Sequence, residues 1–577
     1  MLTNGLRRLR PARFRPSWLE SLRGYNRARF LKDIMAGFAV GIVALSLCIG
    51  LGISSGVSPQ AGLYSGIIGG FCVSFFGGSR VQIGGPAGAF VGLMALMVSK
   101  YGIGDVLLCT MMAGVILFGF GLFRIGTFVR FVPQPVTAGF TCGIAVTILM
   151  TQVRPFLGLT LGGGEPAEFF PKVQALLGAL PTVRWETVLL GVVLLALQLK
   201  WPARWARWVP SSIVVVVLGT LIVWAAGTPL GVHLTGGMRF ETIASMFGGI
   251  PQGLPKFAFP DFSWEKLGVL ASPAFSIAIL CALESLLSAV VADGIIDDRH
   301  DSNQELMGQG LANFLAPLFG GIAVTGVIAR TATNIRSGAT SPVAGIVHSI
   351  FLLLVLVLFA PLAKHIPLVS LAVVLIVVGW RMGDWEEFRR LPKRAAGDAA
   401  VFLTTFGLTV CFDLTVAVQI GMVLAAGLFV KRVADTTRVH TMSGDFIQRE
   451  HGTRLDVPRG VIVYRLFGAL LFGAADRLDT VLRRELRDTE VVILHMVDVS
   501  ALDATALDRL ENMREKLLRH KRHLILCGPH TQPYALMAKE GFLDLVGEGN
   551  VVSNLGAAMG RAQALMAAKS TGQTASP

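Results

Sequence analysis

Uncharged stretches recur along the chain as far as about Lys431 and then stop. Val188–Leu199, Ser212–Ala226, Phe351–Leu362 and Val369–Trp380 contain no Asp, Glu, Lys or Arg. With their flanks, such runs approach the roughly 20 residues that a helix needs to cross a bilayer. Read in this way throughout, the chain predicts about 14 spans, including short ones near 84–99 and 324–338. Beyond about Arg454 the pattern changes. "GVIVYRLFGALLF", "EVVILHMVDVS" and "RHLILCGP" read as buried strands, and "ALDATALDRLENMREKLLRHK" as an amphipathic helix. Strands alternating with a helix predict an α/β domain of about 100–120 residues. The expected class is therefore a mainly α, polytopic membrane protein with an α/β tail.

Composition agrees: 53% of the 577 residues are hydrophobic, 15% are charged and the mean hydropathy is +0.63, whereas soluble domains are about a quarter charged. The expected division is a basic N-terminal segment (1–32), a transmembrane region (33–432), a linker (433–454), the α/β domain (455–567) and a disordered tail (568–577). No early segment reads as a cleaved signal peptide, because the apolar run from Ile34 is long and lacks an A-x-A site. The leading segment holds Arg7, Arg8, Arg10, Arg13, Arg15, Arg23, Arg27, Arg29 and Lys32 against Glu20 alone. Alternate loops then carry Arg80; Arg124 and Arg130; Lys200, Arg204 and Arg207; and Arg389, Arg390, Lys393 and Arg394. The positive-inside rule puts these on the cytoplasmic side, and an even number of spans brings both termini there. That topology accounts for the net charge of +14 without a nucleic-acid partner, and no nucleic-acid motif accompanies it. Six of the seven cysteines lie in apolar segments and none forms a CxxC pair, so they read as buried hydrophobes.

Two hydrophobic segments are interrupted. "GGSRVQIGGPAGAFVGL" (Gly77–Leu93) and "GGIAVTGVIARTATNIRSG" (Gly320–Gly338) each begin Gly-rich and extended and then turn helical. Pro86 occupies the place of a helix-initiating proline at the first helical position. Each interruption follows about 50–60 residues after the start of a half-chain, the halves being about 33–226 and 267–432, as an internal repeat requires. An odd number of spans per half inverts one repeat relative to the other. Two helix N-termini then face each other near mid-membrane. Each offers unpaired N–H groups and the equivalent of roughly half a positive charge, which suits a small anion. Thr325 can add a hydroxyl and Arg330 positive potential. Glu284 is the one charge between Leu267 and Val291, and an ionisable residue there is a functional candidate. Ser288, four residues on, shares its helical face. Glu284 could carry a proton or, beside a cation, join a sodium site. Asp293, Asp297, Asp298, Arg299, His300 and Asp301 read as a solvated cytoplasmic turn rather than a metal site.

From about Phe30 to about Met566 the chain resembles the SulP family of anion transporters, bacterial counterparts of the animal SLC26 family. The landmarks are "GVSPQAGLYSGIIGG", "GGSRVQIGGPAGAFV", "ALESLLSAVVADG", and "HDSNQELMGQGLANFLAPLFGG" followed by "TGVIARTATNIRSGATSPVAG". The resemblance implies 14 segments in two inverted seven-span repeats, a core domain moving against a gate domain as an elevator, and a homodimer in the inner (plasma) membrane. It implies an anion site at Ala87, Gly88, Ala89, Phe90, Thr325, Gly326, Val327 and Arg330, with Ser46 and Leu47 of the first span alongside. It gives Glu284, with Ser288, the coupling role. The tail resembles a STAS domain, in which Ala504 and Thr505 after Asp503 depart from the phosphorylated "DSSG" of soluble relatives, leaving a regulatory or dimer-supporting role. Three further departures are Ser46 where many members have proline, Ala323 in place of a proline before the second half-helix, and Ala61 in place of an aromatic. Cyanobacterial bicarbonate carriers of the family have Asp and Thr where this chain has Glu284 and Ser288. The longer carboxylate favours a proton over sodium as the coupling ion.

A secondary carrier of small anions is thus the leading expectation, with a sulfate-like inorganic anion first and bicarbonate or a C4-dicarboxylate next. An anion channel, a sodium-coupled bicarbonate symporter and a membrane sensor signalling through the tail are the alternatives. No cofactor is called for. The sequence contains no Gly-Lys dipeptide, which excludes a Walker A loop and ATP-driven transport by this chain. No HExxH, zinc spacing or Ser/His/Asp order suggests an enzyme.

Overall fold

The computed structural model describes residues 12–127, 133–162, 165–166, 168–206, 209–227, 240–249, 254–412, 414–436, 438–442, 457–471 and 489–570. Arg7, Arg8, Arg10, Arg130 and Arg207, most of the expected linker 433–454 and the end of the expected tail 568–577 lie outside them. The chain forms two compact units, Met1–Met422 and Val423–Pro577.

The first unit is built from helices α1 (Arg27–Ser54), α2 (Pro59–Tyr64), α3 (Gly70–Phe76), α4 (Val91–Leu122), α5 (Gln134–Leu157), α6 (Trp185–Lys200), α7 (Ser211–Gly227), α8 (Trp264–Ile296), α9 (Ser302–Leu315), α10 (Ile328–Arg336), α11 (Val343–Ala363), α12 (Leu368–Met382) and α13 (Ala396–Cys411). Helix α14 (Leu414–Thr436) runs across the division. Five helices among the described residues are long and apolar enough to cross a membrane, and three more are apolar but shorter. Length alone finds few spans because the apolar stretches are broken. A π-helical turn, Ser65–Gly69, separates α2 from α3, and Gly102, at φ +79°, interrupts α4.

The helices sort into two packed groups. In one, α1 lies on α11, α4 on α8 and α9, and α9 on α3; in the other, α5 lies on α12 and α13, and α6 on α7 and α12. Helices α4 and α9 meet backbone to backbone. A Cβ on Gly114 would stand 2.7 Å from the Gly310 carbonyl oxygen, and a Cβ on Gly310 2.7 Å from that of Gly114. Small residues at such crossings are how membrane helices pack in the absence of a hydrophobic drive between them.

In the second unit a sheet runs in the order β3 (Arg438–Thr441), β4 (Val461–Leu470), β5 (Val491–Leu502), β6 (His523–Cys527), β7 (Val551–Val552), antiparallel only between β3 and β4. Along β5 the side chains alternate as a pleat dictates. Val492, Leu494 and Met496 join Leu507, Leu510 and Leu517 of α15 (Ala504–Arg519) in one cluster. Val491 and Ile493 join Ala558, Met559 and Ala562 of α16 (Leu555–Ser570) in another. Asp503 caps α15, its side chain accepting from Ala506 N at 2.8 Å, and Thr505 is exposed in the first turn.

Candidate functional site

The two Gly-rich segments cross inside the first unit. Strand β1 (Gly84–Gly85) pairs antiparallel with β2 (Thr325–Gly326), Gly84 opposite Gly326 and Gly85 opposite Thr325. From this crossing the chain enters α4 through a 3-10 turn, Gly88–Phe90, capped by Ala87, and enters α10 at Ile328, capped by Val327. Val327 N donates to Ile83 O at 2.9 Å, so each segment holds the other. Glycine is required at the crossing because a side chain on Gly85 would strike the Arg330 guanidinium, and one on Gly326 the Gln82 amide. Pro86 therefore does not open the helix as expected. It lies ahead of the Ala87 cap, where its carbonyl accepts from Arg330 Nη2 at 3.1 Å.

Non-helical backbone survives at membrane depth only where its polar groups find partners inside the protein. Asn313 brackets Val324, its Oδ1 accepting from Val324 N at 2.8 Å and its Nδ2 donating to Val324 O at 2.7 Å. Ser65 Oγ accepts from Ile322 N at 2.7 Å and lies 3.0 Å from Ile322 O. Ser285 Oγ accepts from Gly326 N at 3.1 Å and bonds Thr325 Oγ1 at 2.8 Å. Thr331 Oγ1 accepts from Ile83 N at 3.1 Å, and Asn334 Nδ2 donates to Val81 O at 2.8 Å.

The expected site residues divide on this frame. Ala87, Ala89, Phe90 and Leu47 share one buried apolar cluster, with Val327 packed against it. Gly88 and Ala89 line a cavity of about 400 Å³ together with Ile144, Thr147, Thr409 and Phe412. Ser46 turns inward on its own helix, donating to Val43 O at 3.1 Å. Thr325 is fully buried, and its hydroxyl bonds to Ser285 and to Cys281 O at 3.3 Å. It thus braces the crossing, two residues ahead of the α10 cap. Ser288 Oγ donates to Thr331 Oγ1 at 3.3 Å; Ser285 is the serine of α8 that reaches β2, and its spacing from Glu284 gave no hint of this. Glu284 is 3% exposed and its Oε1 has no partner.

Arg330 is 1% exposed. Its Nε and Nη1 have no hydrogen-bond partner, its third nitrogen is the one on Pro86, and among the described residues no carboxylate pairs with it. An ionised group buried in this way is expensive unless something completes its coordination. Two residues that the sequence reading passed over lie near it. Cys48 of α1 reaches toward Gly66, which borders Gly85 and the guanidinium, and His348 of α11 lies across Gly70 from the Gly84 carbonyl; His348 is fully buried with neither ring nitrogen hydrogen-bonded.

The expected solvated turn after α8 does leave Asp297, Arg299 and Asp301 exposed, but it closes on an ordered knot. Asp293 Oδ2 lies 2.7 Å from His300 Nδ1, and His300 Nε2 lies 3.0 Å from Ser302 Oγ. His300 and Ser302 are buried. This is an Asp–His–Ser chain in space. It anchors the start of α9, where Asp301 caps Asn303 N and Gln304 N and Glu305 Oε2 accepts from Gly78 N and Ser79 N.

Compared with known proteins, the chain matches the sequence profile of the sulfate permease family over residues 30–405 and that of the STAS domain over residues 453–558. It is 40% identical over 533 residues to YvdB, a putative sulfate transporter of Bacillus subtilis, covering 91% of this chain and 96% of that one. It is 30% identical over 513 residues to BicA, a bicarbonate transporter of Picosynechococcus, covering 86% and 88%. Its fold is similar to that of murine Slc26a9, an anion transporter of solute carrier family 26 solved in the inward-facing state, with a TM-score of 0.82 at 17% identity over 95% of this chain and 93% of that one.

Proposed function

The chain belongs to the sulfate permease family, and on that premise we propose that this multi-pass membrane transporter of anions is a proton-coupled secondary carrier whose leading cargo is a sulfate-like anion. The observation that carries the reading is Arg330, a buried cation with no carboxylate partner among the described residues, at the point where two helices begin. The adjoining helix starts at Gly88 and Ile328 add N–H groups and the positive ends of their dipoles. Together they offer an anion the charge and donors that hydrocarbon lacks. Ala87, Gly88, Ala89, Phe90 and Leu47 would shape the pocket beside the crossing, and Gly326, Val327 and Arg330 would supply its polarity. Thr325 and Ser46 would act at one remove, since their hydroxyls already bond within the protein.

Glu284 is the proposed proton carrier, buried in α8 with a free carboxyl oxygen. The topology that fits is 14 spans in two inverted seven-span repeats with both ends in the cytoplasm. The π turn between α2 and α3 and the Gly102 break in α4 raise the count toward that number. The helix group containing α1, α4 and α8–α11 would be the moving core, and the group containing α5–α7, α12 and α13 the gate. We assign the functional unit to a homodimer. A sodium-coupled bicarbonate symporter is the second reading, favoured by the 30% identity to a bicarbonate transporter.

Proteoliposomes test both readings. Sulfate uptake should follow an imposed inward proton gradient, and Glu284→Gln should abolish that dependence. Uptake of bicarbonate that follows a sodium gradient and ignores the proton gradient would replace the first reading by the second. Arg330→Ala binding every tested anion as well as the wild type would remove the proposed site.

A further inference from the structure

His348 stands beside the guanidinium on which the anion reading rests. Its ring is fully buried and neither nitrogen has a hydrogen bond, although the Gly345 carbonyl lies nearby, one turn earlier on α11. Burying a polar group without a partner is costly, so a histidine serving only to pack would be replaced at a gain by an apolar residue. Three glycines make the room. A Cβ on Gly70 would lie 3.3 Å from the His348 ring and 3.1 Å from the Gly84 carbonyl; one on Gly66 would lie 2.6 Å from Cys48 Sγ; and one on Gly85 would strike Arg330. Imidazole, thiol, guanidinium and the backbone of β1 therefore share one small space.

The charged and titratable groups around it are few. Helix α11 packs on α1, on the π turn Ser65–Gly69 and on α3. From α1 come Cys48 and, about 15 residues or some 22 Å earlier along the helix, Asp33, which is taken up by Tyr25, Thr340 and Ser341. The cations of α1, Arg27, Arg29 and Lys32, sit at that same far end. The π turn offers no ionisable group and α3 only Cys72. From α10 comes Arg330. Among the described residues His348 thus faces one permanent positive charge, Arg330, and no acid.

We propose that His348 is a second cationic group of the anion site, one that takes up a proton when a doubly charged anion binds beside Arg330 and stays neutral when a singly charged anion binds. The inference rests on Arg330 as the anion's counter-charge. Arginine is charged at every physiological pH, whereas imidazole changes charge near neutrality. Two neighbouring cations in a low dielectric repel strongly, so without cargo the imidazole stays neutral. A dianion reverses the balance, because Arg330 alone leaves it one charge short. In both loaded states the local sum is then zero: guanidinium with a monoanion, or guanidinium and imidazolium with a dianion. The proton comes from water and no covalent bond changes. The core would carry the same net charge whichever anion it held.

By linkage, a proton taken up on binding makes affinity pH-dependent, by up to about tenfold per pH unit. The test measures sulfate and nitrate binding to purified, full-length protein between pH 6 and 8.5. Sulfate affinity of the wild type should fall as pH rises while nitrate affinity stays level, and His348→Asn should level the sulfate curve. As a check that needs no variant at this position, adding sulfate to weakly buffered protein should draw up to one proton per bound anion, and nitrate none. A level sulfate curve in the wild type, or an unchanged slope in His348→Asn, overturns the proposal and leaves the anion site standing. Undiminished sulfate binding by Arg330→Ala overturns the reading beneath it.

Discussion

The two segments that cross at the centre of the first unit do the same thing with different chemistry. The first, through Gly84, Gly85, Pro86, Ala87 and Gly88, has no polar side chain at its turning point and opens directly on a cavity. The second, from Ile322 to Arg330, is tied down by Ser65, Asn313 and Ser285 and carries the charge. One contributes shape, and the other polarity together with the fixings that polarity needs. A symmetric pair of helix ends would leave both tasks to the backbone. The asymmetry implies that capacity and attraction can be altered separately.

Four substitutions or labels probe that division. The largest effect should come from Asn313→Leu, which leaves Val324 N–H without a partner and its C=O with only the weak Cys281 thiol donor at 3.4 Å. At about 1–3 kcal/mol for each unpaired buried group, folded protein should be lost or melt far earlier in a detergent thermal scan; an unchanged melt would show that the second segment does not depend on its bracket. Next, Arg330→Ala should weaken anion binding about 100-fold, the scale of a lost charge-assisted hydrogen bond, with melting little changed. Third, Gly88→Ala should act by size. The new methyl would meet the end of the Ile148 side chain and lie 3.7 Å from Met382 Sδ. A competition panel should show a loss of less than about tenfold, steepest for a C4-dicarboxylate and slightest for chloride. An equal loss for all anions would mean that the first segment contributes attraction as well. Last, the tail should not respond to any of these. Burial pushes the Cys527 thiol up to about 11, so it stays protonated at pH 8 and should resist alkylation in the wild type and in Gly88→Ala alike. Rapid labelling of folded protein would contradict that burial.

What the amino-acid order disclosed follows from which interactions are local. The tail's strands and helix were readable because alternating and helical periods are short-range patterns, and β5 and α15 lie where the apolar positions put them. The interrupted membrane segments were readable because glycine and β-branched clusters cannot continue a helix. The partners of the interruption were harder to see. Asn313 lies inside a landmark stretch, and with Gln304, Glu305 and Gln309 it marks α9 as unusually polar for a buried helix, yet nothing along the chain says that it faces Val324. Ser285 and Ser288 look equivalent in sequence; only the placement of α8 against β2 separates them. Pro86 resembled a helix opener because the rule for that residue is local, whereas a bond from Arg330, far along the chain, gives it a different place. His348 sat in an apolar run with no motif around it, and its meaning arises from a guanidinium 18 positions earlier.

The contact of α4 with α9 at Gly114 and Gly310 has a mechanical consequence. Where main chain rests on main chain, no side-chain torsion lies between the two rods to absorb displacement. They cannot slide without a collision or separate without opening a void in hydrocarbon. Any rearrangement that carries cargo from one face to the other would therefore take place elsewhere, where side chains lie between the helices. The pair seated on its two glycines would travel as a single stiff beam.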